Sequence, residues 1–173
     1  GKVHRVAKNI SSNLALKVID AKGYMITPGL INIHTHVFVG SQANTFADGV
    51  LSVSPDDFTF RSGITTVVDA GTSGWRNFPL FKKQVIDQSK TRILSFLNIF
   101  GAGLTGQWPA LSGFPGLDDI DSSEMSEMIK KYPDNIVGIV IGHYHGKEWT
   151  PFDKGLQVAN ERKVPIMVEC LLP

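Results

Sequence analysis

Two histidines one residue apart, His34 and His36, close the apolar run Pro28-Gly29-Leu30-Ile31-Asn32-Ile33. On an extended strand side chains alternate between faces, so residues two apart project together. Such a pair offers two neutral nitrogens to one Zn²⁺ at about 2.0–2.1 Å each. A second His-x-His, Gly142-His143-Tyr144-His145-Gly146, follows another apolar run. His143 and His145 could supply a further ligand or contact substrate; the plainer reading is an exposed polar loop. Glu169 ends an apolar run, where an unpaired carboxylate is costly to bury. It could ligate a metal, pair with a histidine beside one, or pair with a basic residue. Asp69 precedes Ala70-Gly71-Thr72-Ser73-Gly74. It could orient a first-strand histidine or cap its own turn, while Thr72, Ser73 and Tyr144 could donate hydrogen bonds to a substrate. Cys170 reads as a core thiol, and Trp75 and Trp149 as packing residues.

These residues need a scaffold, and 173 of them suffice for one domain with a substantial core. The chain is 42% hydrophobic and 19% charged, which places it among globular sequences. A net charge of +1 gives no electrostatic case for nucleic acid or for an acidic membrane. No stretch approaches the roughly 20 apolar residues of a membrane span. One cysteine permits no intrachain disulfide and fits a reducing, cytoplasmic compartment. No secretory leader is visible, but Gly1 is not a natural start.

Short runs rich in Val and Ile recur at 30–34, 65–69, 93–99, 136–141 and 164–169. Nearly continuous hydrophobicity is the pattern of parallel strands buried on both faces. Helical segments lie between them. Ser54-Pro55-Asp56-Asp57 and Thr150-Pro151-Phe152-Asp153 each join a cap residue to proline and an early acid. Ser122 or Ser123 can cap a helix bearing Met125, Met128 and Ile129, and Phe78, Phe81, Val85 and Ile86 form another stripe. Strands alternating with helices predict βαβ units around a parallel sheet. That is either an open doubly wound sheet or the first five units of a (β/α)₈ barrel, which takes about 250 residues. Residues 1–27 differ: 3–6, 15–19 and 24–26 read as short strands joined by turns, part of a small β-subdomain ahead of the α/β unit at 28–173. The loop 101–116, rich in glycine, could cover the carboxyl edge of the sheet.

The segment Pro28-Gly29-Leu30-Ile31-Asn32-Ile33-His34-Thr35-His36 resembles the entry to the first barrel strand in the amidohydrolase superfamily, with Asn32 where an aspartate is usual. Residues 1–23 resemble the strand pairs preceding that motif in dihydroorotase-like members. Gly63-Ile64-Thr65-Thr66-Val67-Val68-Asp69-Ala70-Gly71 resembles the second strand, and Val137-Gly138-Ile139 and Val164-Pro165-Ile166-Met167-Val168 stand where the fourth and fifth would be. The nearest subgroup is the deacetylase-like, dihydroorotase-related amidohydrolases. The resemblance implies a (β/α)₈ TIM-type barrel with about five βα units present, preceded by part of a small β-sandwich subdomain.

It also implies one or two divalent metals, Zn²⁺ first among them. His34 and His36 match the first-strand ligands. A bridging carboxylated lysine is usual on the fourth strand, but Val140 stands there. Glu169 stands where a fifth-strand histidine is usual, and His143 or His145 are the other local candidates. A general-base aspartate would fall beyond residue 173. The implied activity is hydrolysis of amide, cyclic amide or acyl-ester bonds of small molecules through a metal-activated water. The alternative is an inactive or engineered barrel fragment serving as a binding or assembly module. The expected partners are a small-molecule substrate and either a second copy of the chain or the rest of the barrel, because five strands leave open edges.

Overall fold

The computed structural model describes residues 2–39, 52–104, 116–144 and 146–169. Five parallel strands form a single sheet in the order β1-β2-β3-β4-β5. They are β1 (Leu30–Thr35), β2 (Ile64–Gly74), β3 (Arg92–Asn98), β4 (Ile136–Ile141) and β5 (Ile166–Val168). Each coincides with one of the five apolar runs. Chain order equals sheet order, so every crossover advances by one strand, as in a barrel wall. The doubly wound alternative would require the order to reverse at a switch point.

Helices cover the outer face. Phe78–Phe81 forms a short helix, α1, that continues through a π-helical turn at Lys82–Ile86. Helices α2 (Ser122–Lys131) and α3 (Thr150–Arg162) follow β3 and β4. Phe78, Phe81, Val85, Met125, Ile129 and Val158 meet Val67, Ile93, Leu97, Ile139 and Ile141 from the sheet in one buried cluster. Val37 and Phe38, directly after the first histidine pair, are fully buried in the same cluster, with the Phe38 ring 4.8 Å from that of Phe81. The inner face carries buried polar groups instead. Asn98 Nδ2 donates to Gly71 O at 3.0 Å, and Thr35 Oγ1 donates to Val68 O at 3.2 Å. These bonds stitch neighbouring strands near their carboxyl ends. Gly71 has φ +76°, a left-handed conformation that suits glycine, and a Cβ there would collide with Val140.

Several local expectations change. The α2 cap is Asp121, whose side chain accepts from the Ser123 and Glu124 backbone amides; the two serines lie inside the helix. A carboxylate there also suits the positive end of the helix dipole. Trp149, not Thr150, occupies the cap position of α3 and makes no capping bond. The Ser54-Pro55 segment forms two 3-10 turns, Pro55–Asp57 and Phe60–Ser62, rather than a longer helix. Residues 2–29 form no paired strand, but a 3-10 turn at Ser12–Leu14 and a turn closed by Tyr24 N donating to Ala21 O. The three short strands expected there find no ladder partner among the described residues, and Val3, Leu16, Tyr24 and Ile26 lie exposed. The first and last strands of the sheet each have one neighbour, and Ile31 on β1 is 63% exposed. Of the loop 101–116, residues 101–104 form turns, with Gly103 N bonded to Phe100 O, and 105–115 lie outside the described residues. Among the described residues no helix is long and apolar enough to cross a membrane.

Leu97 is fully buried between the sheet and the helices, whereas Leu80 is 41% exposed. Leu97→Ala is therefore expected to cost about 2–5 kcal/mol, and Leu80→Ala well under half of that. Chemical denaturation of both variants checks this; equal losses would contradict the assigned core.

Candidate active site

His34 lies on β1 and His36 follows one residue after it, both at the carboxyl end of the sheet. Their rings stand edge to face with centroids 5.8 Å apart, so the pair does project together. Glu169, just past β5, reaches the same place. Its Oε1 lies 2.9 Å from His34 Nε2 and its Oε2 lies 3.4 Å from His143 Nε2. Strands at opposite ends of the sheet order thus meet through one carboxylate, which requires the sheet to curl into a wall around a mouth. Glu169 is 12% exposed, while the His34 side chain is 52% exposed.

The close approach at Oε1 is not a hydrogen bond. Oε1 is buried and has no hydrogen-bond partner, because His34 Nε2 is near but not aligned to donate. Leaving such an oxygen unsatisfied costs about 1–3 kcal/mol, more when it is charged. A nitrogen and an oxygen on one divalent ion, at about 2.1 Å each, stand about 3.0–3.4 Å apart for angles between 90° and tetrahedral. Both N···O separations are close to that span. The two N···O spacings thus match those of ligands on one ion, but among the described residues no three such side chains are gathered round a point that could hold a metal.

His143 has φ 56°, in the left-handed region, a backbone cost that persists only where surroundings enforce it. Gly142 makes room beside it: a Cβ there would stand 2.5 Å from Glu169 Oε2. The sequence reading missed Gly142, whose only signal is its position between the last β4 residue and a histidine. His145, Cys170 and Leu171 lie outside the described residues.

Behind His36 lies a buried support. His36 Nδ1 is 3.0 Å from Thr72 Oγ1. Asp69, with no exposed surface, accepts from the Val37 amide at 2.8 Å and from the Thr72 amide at 2.8 Å. It caps its own turn and, through Thr72 and Val37, fixes the segment carrying His36. Burial, then the positive fields of His34 and His143, lower the His36 pKa to about 4, so the ring is neutral at pH 7 and able to ligate. Burial raises Asp69 to about 6 against the bonds it accepts.

Val140 is buried against Gly71 and offers no donor. Ser73 is buried with no hydrogen-bond partner for its hydroxyl. Tyr144 turns its hydroxyl to Glu148, donating at 2.7 Å, and its ring lies 6.2 Å from Phe100 and 6.3 Å from Phe152. Trp149 is 71% exposed at the outer end of this aromatic row, 5.3 Å from Phe152, and so is less a packing residue than expected. Trp75 is half-buried, with the Arg76 guanidinium 4.6 Å over its ring.

The chain is similar to curated relatives and to solved structures. A deacetylase of Brucella anthropi is 32% identical over 97% of the chain and 41% of its own length. A solved dihydroorotase superposes with a TM-score of 0.68 at 29% identity, over 84% of this chain and 45% of its own. A solved adenine deaminase gives 0.69 at 28% identity, over 84% and 38%. The chain belongs to the amidohydrolase superfamily. Its five-stranded parallel sheet is part of that superfamily's TIM-type barrel. It spans about two fifths of the length of the curated relatives it matches from end to end. No family model matches it.

The two buried groups act on stability in opposite senses. Asp69, raised from its ordinary 3.8, contributes fully below that value and loses the contribution as pH rises through about 6. His36, lowered from 6.5, contributes fully above that value and loses the contribution as pH falls toward about 4. Between these limits the two slopes offset each other. Asp69→Asn is expected to steepen acid destabilisation, adding about 1–2 kcal/mol of loss between pH 6 and 4.5. Denaturant melts across that range measure it; an unchanged slope would refute the raised value.

Proposed function

We propose that the full-length protein is a metal-dependent hydrolase of amide, cyclic amide or acyl-ester bonds in small molecules. The observation that carries this is the convergence of His34, His36 and Glu169 at the carboxyl ends of β1 and β5, where barrel enzymes build their sites. The names of the relatives support it, since deacetylase, dihydroorotase and adenine deaminase all denote hydrolysis at a carbonyl or amidine-like carbon.

His34, His36 and Glu169 would hold the ion, with zinc the first candidate by its taste for imidazole and carboxylate. Bound there, it would supply a water reactive near neutral pH and polarise the scissile group. The chain's own residues do the rest. Were Thr72 Oγ1 to accept from His36 Nδ1–H across their 3.0 Å contact, the ring's lone pair would stand on Nε2. Asp69 keeps Thr72 in place through the backbone, so the ring is oriented before any ligand arrives. The general base is assigned to an aspartate past residue 173, as the resemblance implies. The exposed edges of β1 and β5 are where the remaining barrel strands, or a second copy, would add. The single thiol, Cys170, suits a cytoplasmic setting.

The competing reading, an inactive barrel used for binding, draws on Val140, which cannot ligate. One experiment separates them. Metal-stripped full-length protein is reloaded with zinc and assayed on N-acyl amino acids, cyclic amides and acetyl esters. Turnover is expected only after loading, and His34→Ala/His36→Ala is expected to abolish both turnover and zinc uptake. Zinc uptake by the double variant equal to that of wild type would sink the proposal. Thr72→Val is expected to weaken zinc affinity about 10–100-fold, with Thr72→Ser close to wild type, in competition titrations with a chelating dye.

A further inference from the structure

Strand β2 does not run regularly to its end. Ala70 pairs with Phe96 and Gly74 with Asn98, so the chain takes four steps along β2 against two along β3. Gly71, Thr72 and Ser73 are bulged out between those points. A bulge re-aims side chains and interrupts the ladder. This one leaves Thr72 Oγ1 3.0 Å from His36 Nδ1. The bulged carbonyls are buried, so they need donors from outside the ladder.

The end of β3 and the residues after it supply those donors. Asn98 is buried; its Nδ2 donates to Gly71 O at 3.0 Å, and its Oδ1 accepts from the Phe100 amide at 3.0 Å. The Leu104 amide is shared between Gly71 O at 3.2 Å and Thr72 O at 3.1 Å. Gly103 passes so close that a Cβ there would stand 2.5 Å from Thr72 O. Asn98 therefore holds the bulge directly and also fixes the start of the turn that brings Leu104 against it. Asp69 grips the Thr72 amide from the other side. Thr72 is clamped at both its peptide groups, and its hydroxyl is left to meet the His36 ring.

We infer that Asn98 is a positioning residue for His36, acting through the Gly71–Thr72 bulge. The chemistry of the side chain carries this, since it uses its donor on β2 and its acceptor on its own strand's exit. An ionised aspartate of the same shape has no donor to give Gly71 O. The arrangement concerns how the ring is held and needs no bound ion. Its bearing on hydrolysis rests on the function proposed above.

The test uses metal-free full-length protein with isotope-labelled histidine, read by nuclear magnetic resonance. The His36 ring signals are identified by their absence in His36→Gln. Asn98→Asp is expected to move them in the same direction as Thr72→Val does. Leu97→Ala, a destabilising change on the outer face of the same strand, is expected to leave them in place. Gly103→Ala presses on Thr72 O from the far side and is expected to move them too; it decides should Asn98→Asp fail to fold. On any substrate the loaded wild type hydrolyses, Asn98→Asp is expected to lower kcat about tenfold at unchanged KM. Ring signals at their wild-type positions in Asn98→Asp, or moved as far by Leu97→Ala, would overturn the inference, as would hydrolysis by Asn98→Asp at the wild-type rate. Moved signals in a protein that hydrolyses no substrate class would sustain the positioning role and sink the proposed function. Hydrolysis with unmoved signals would do the reverse.

Discussion

The Glu169 carboxylate has to be placed, only slightly exposed, between two histidines that reach it from opposite directions. A buried anion with an unbonded oxygen is unfavourable on its own. Its position is tolerable only because the imidazoles of His34 and His143 lie near its two oxygens. Much of the surrounding architecture is organised by that requirement. The sheet must curl far enough to bring the end of β5 to the end of β1. The turn after β4 must adopt an uncommon backbone to deliver His143, and Gly142 must stay without a side chain.

Holding His36 needs a different kind of support. Thr72 and Asp69 form a short buried chain of hydrogen bonds, anchored on amides of the two segments that flank the mouth. The core takes over where the chain ends, since Val37 and Phe38 are fully buried immediately after His36. Polar atoms face inward and apolar ones outward toward the helices, so the site is braced from both sides of the strand. Such bracing is what keeps ligands near a productive geometry before anything binds.

The five strands were legible because each is a short, nearly continuous apolar run, although only the inner ones, β2 and β4 above all, are buried along nearly their whole length, while β1 and β5 stay partly exposed. His34 and His36 were legible because alternation on a strand is a local rule. Less could be read where partners are distant. Nothing local says that Asp121, rather than Ser122 or Ser123, caps α2, since all three are good caps in adjacent positions. Nothing in residues 2–29 says that their apolar, alternating stretches lack a partner in this structure, because pairing is a property of the neighbour. The reach of Glu169 to His34 joins residues far apart in sequence, and only a folded sheet reveals it. Gly142 looks like any turn glycine until the carboxylate is seen against it.

That last contact has a consequence for how the chain can vary. Positions 142 and 169 form one steric unit, with a missing methyl group on one side and a carboxylate on the other. Drift at either position is then conditional on its partner. A lineage that keeps the acid should keep the glycine, and one that enlarges residue 142 first should be driven to shorten or replace residue 169. The substitution history of this mouth would read as paired changes in two segments that are not adjacent in the sequence.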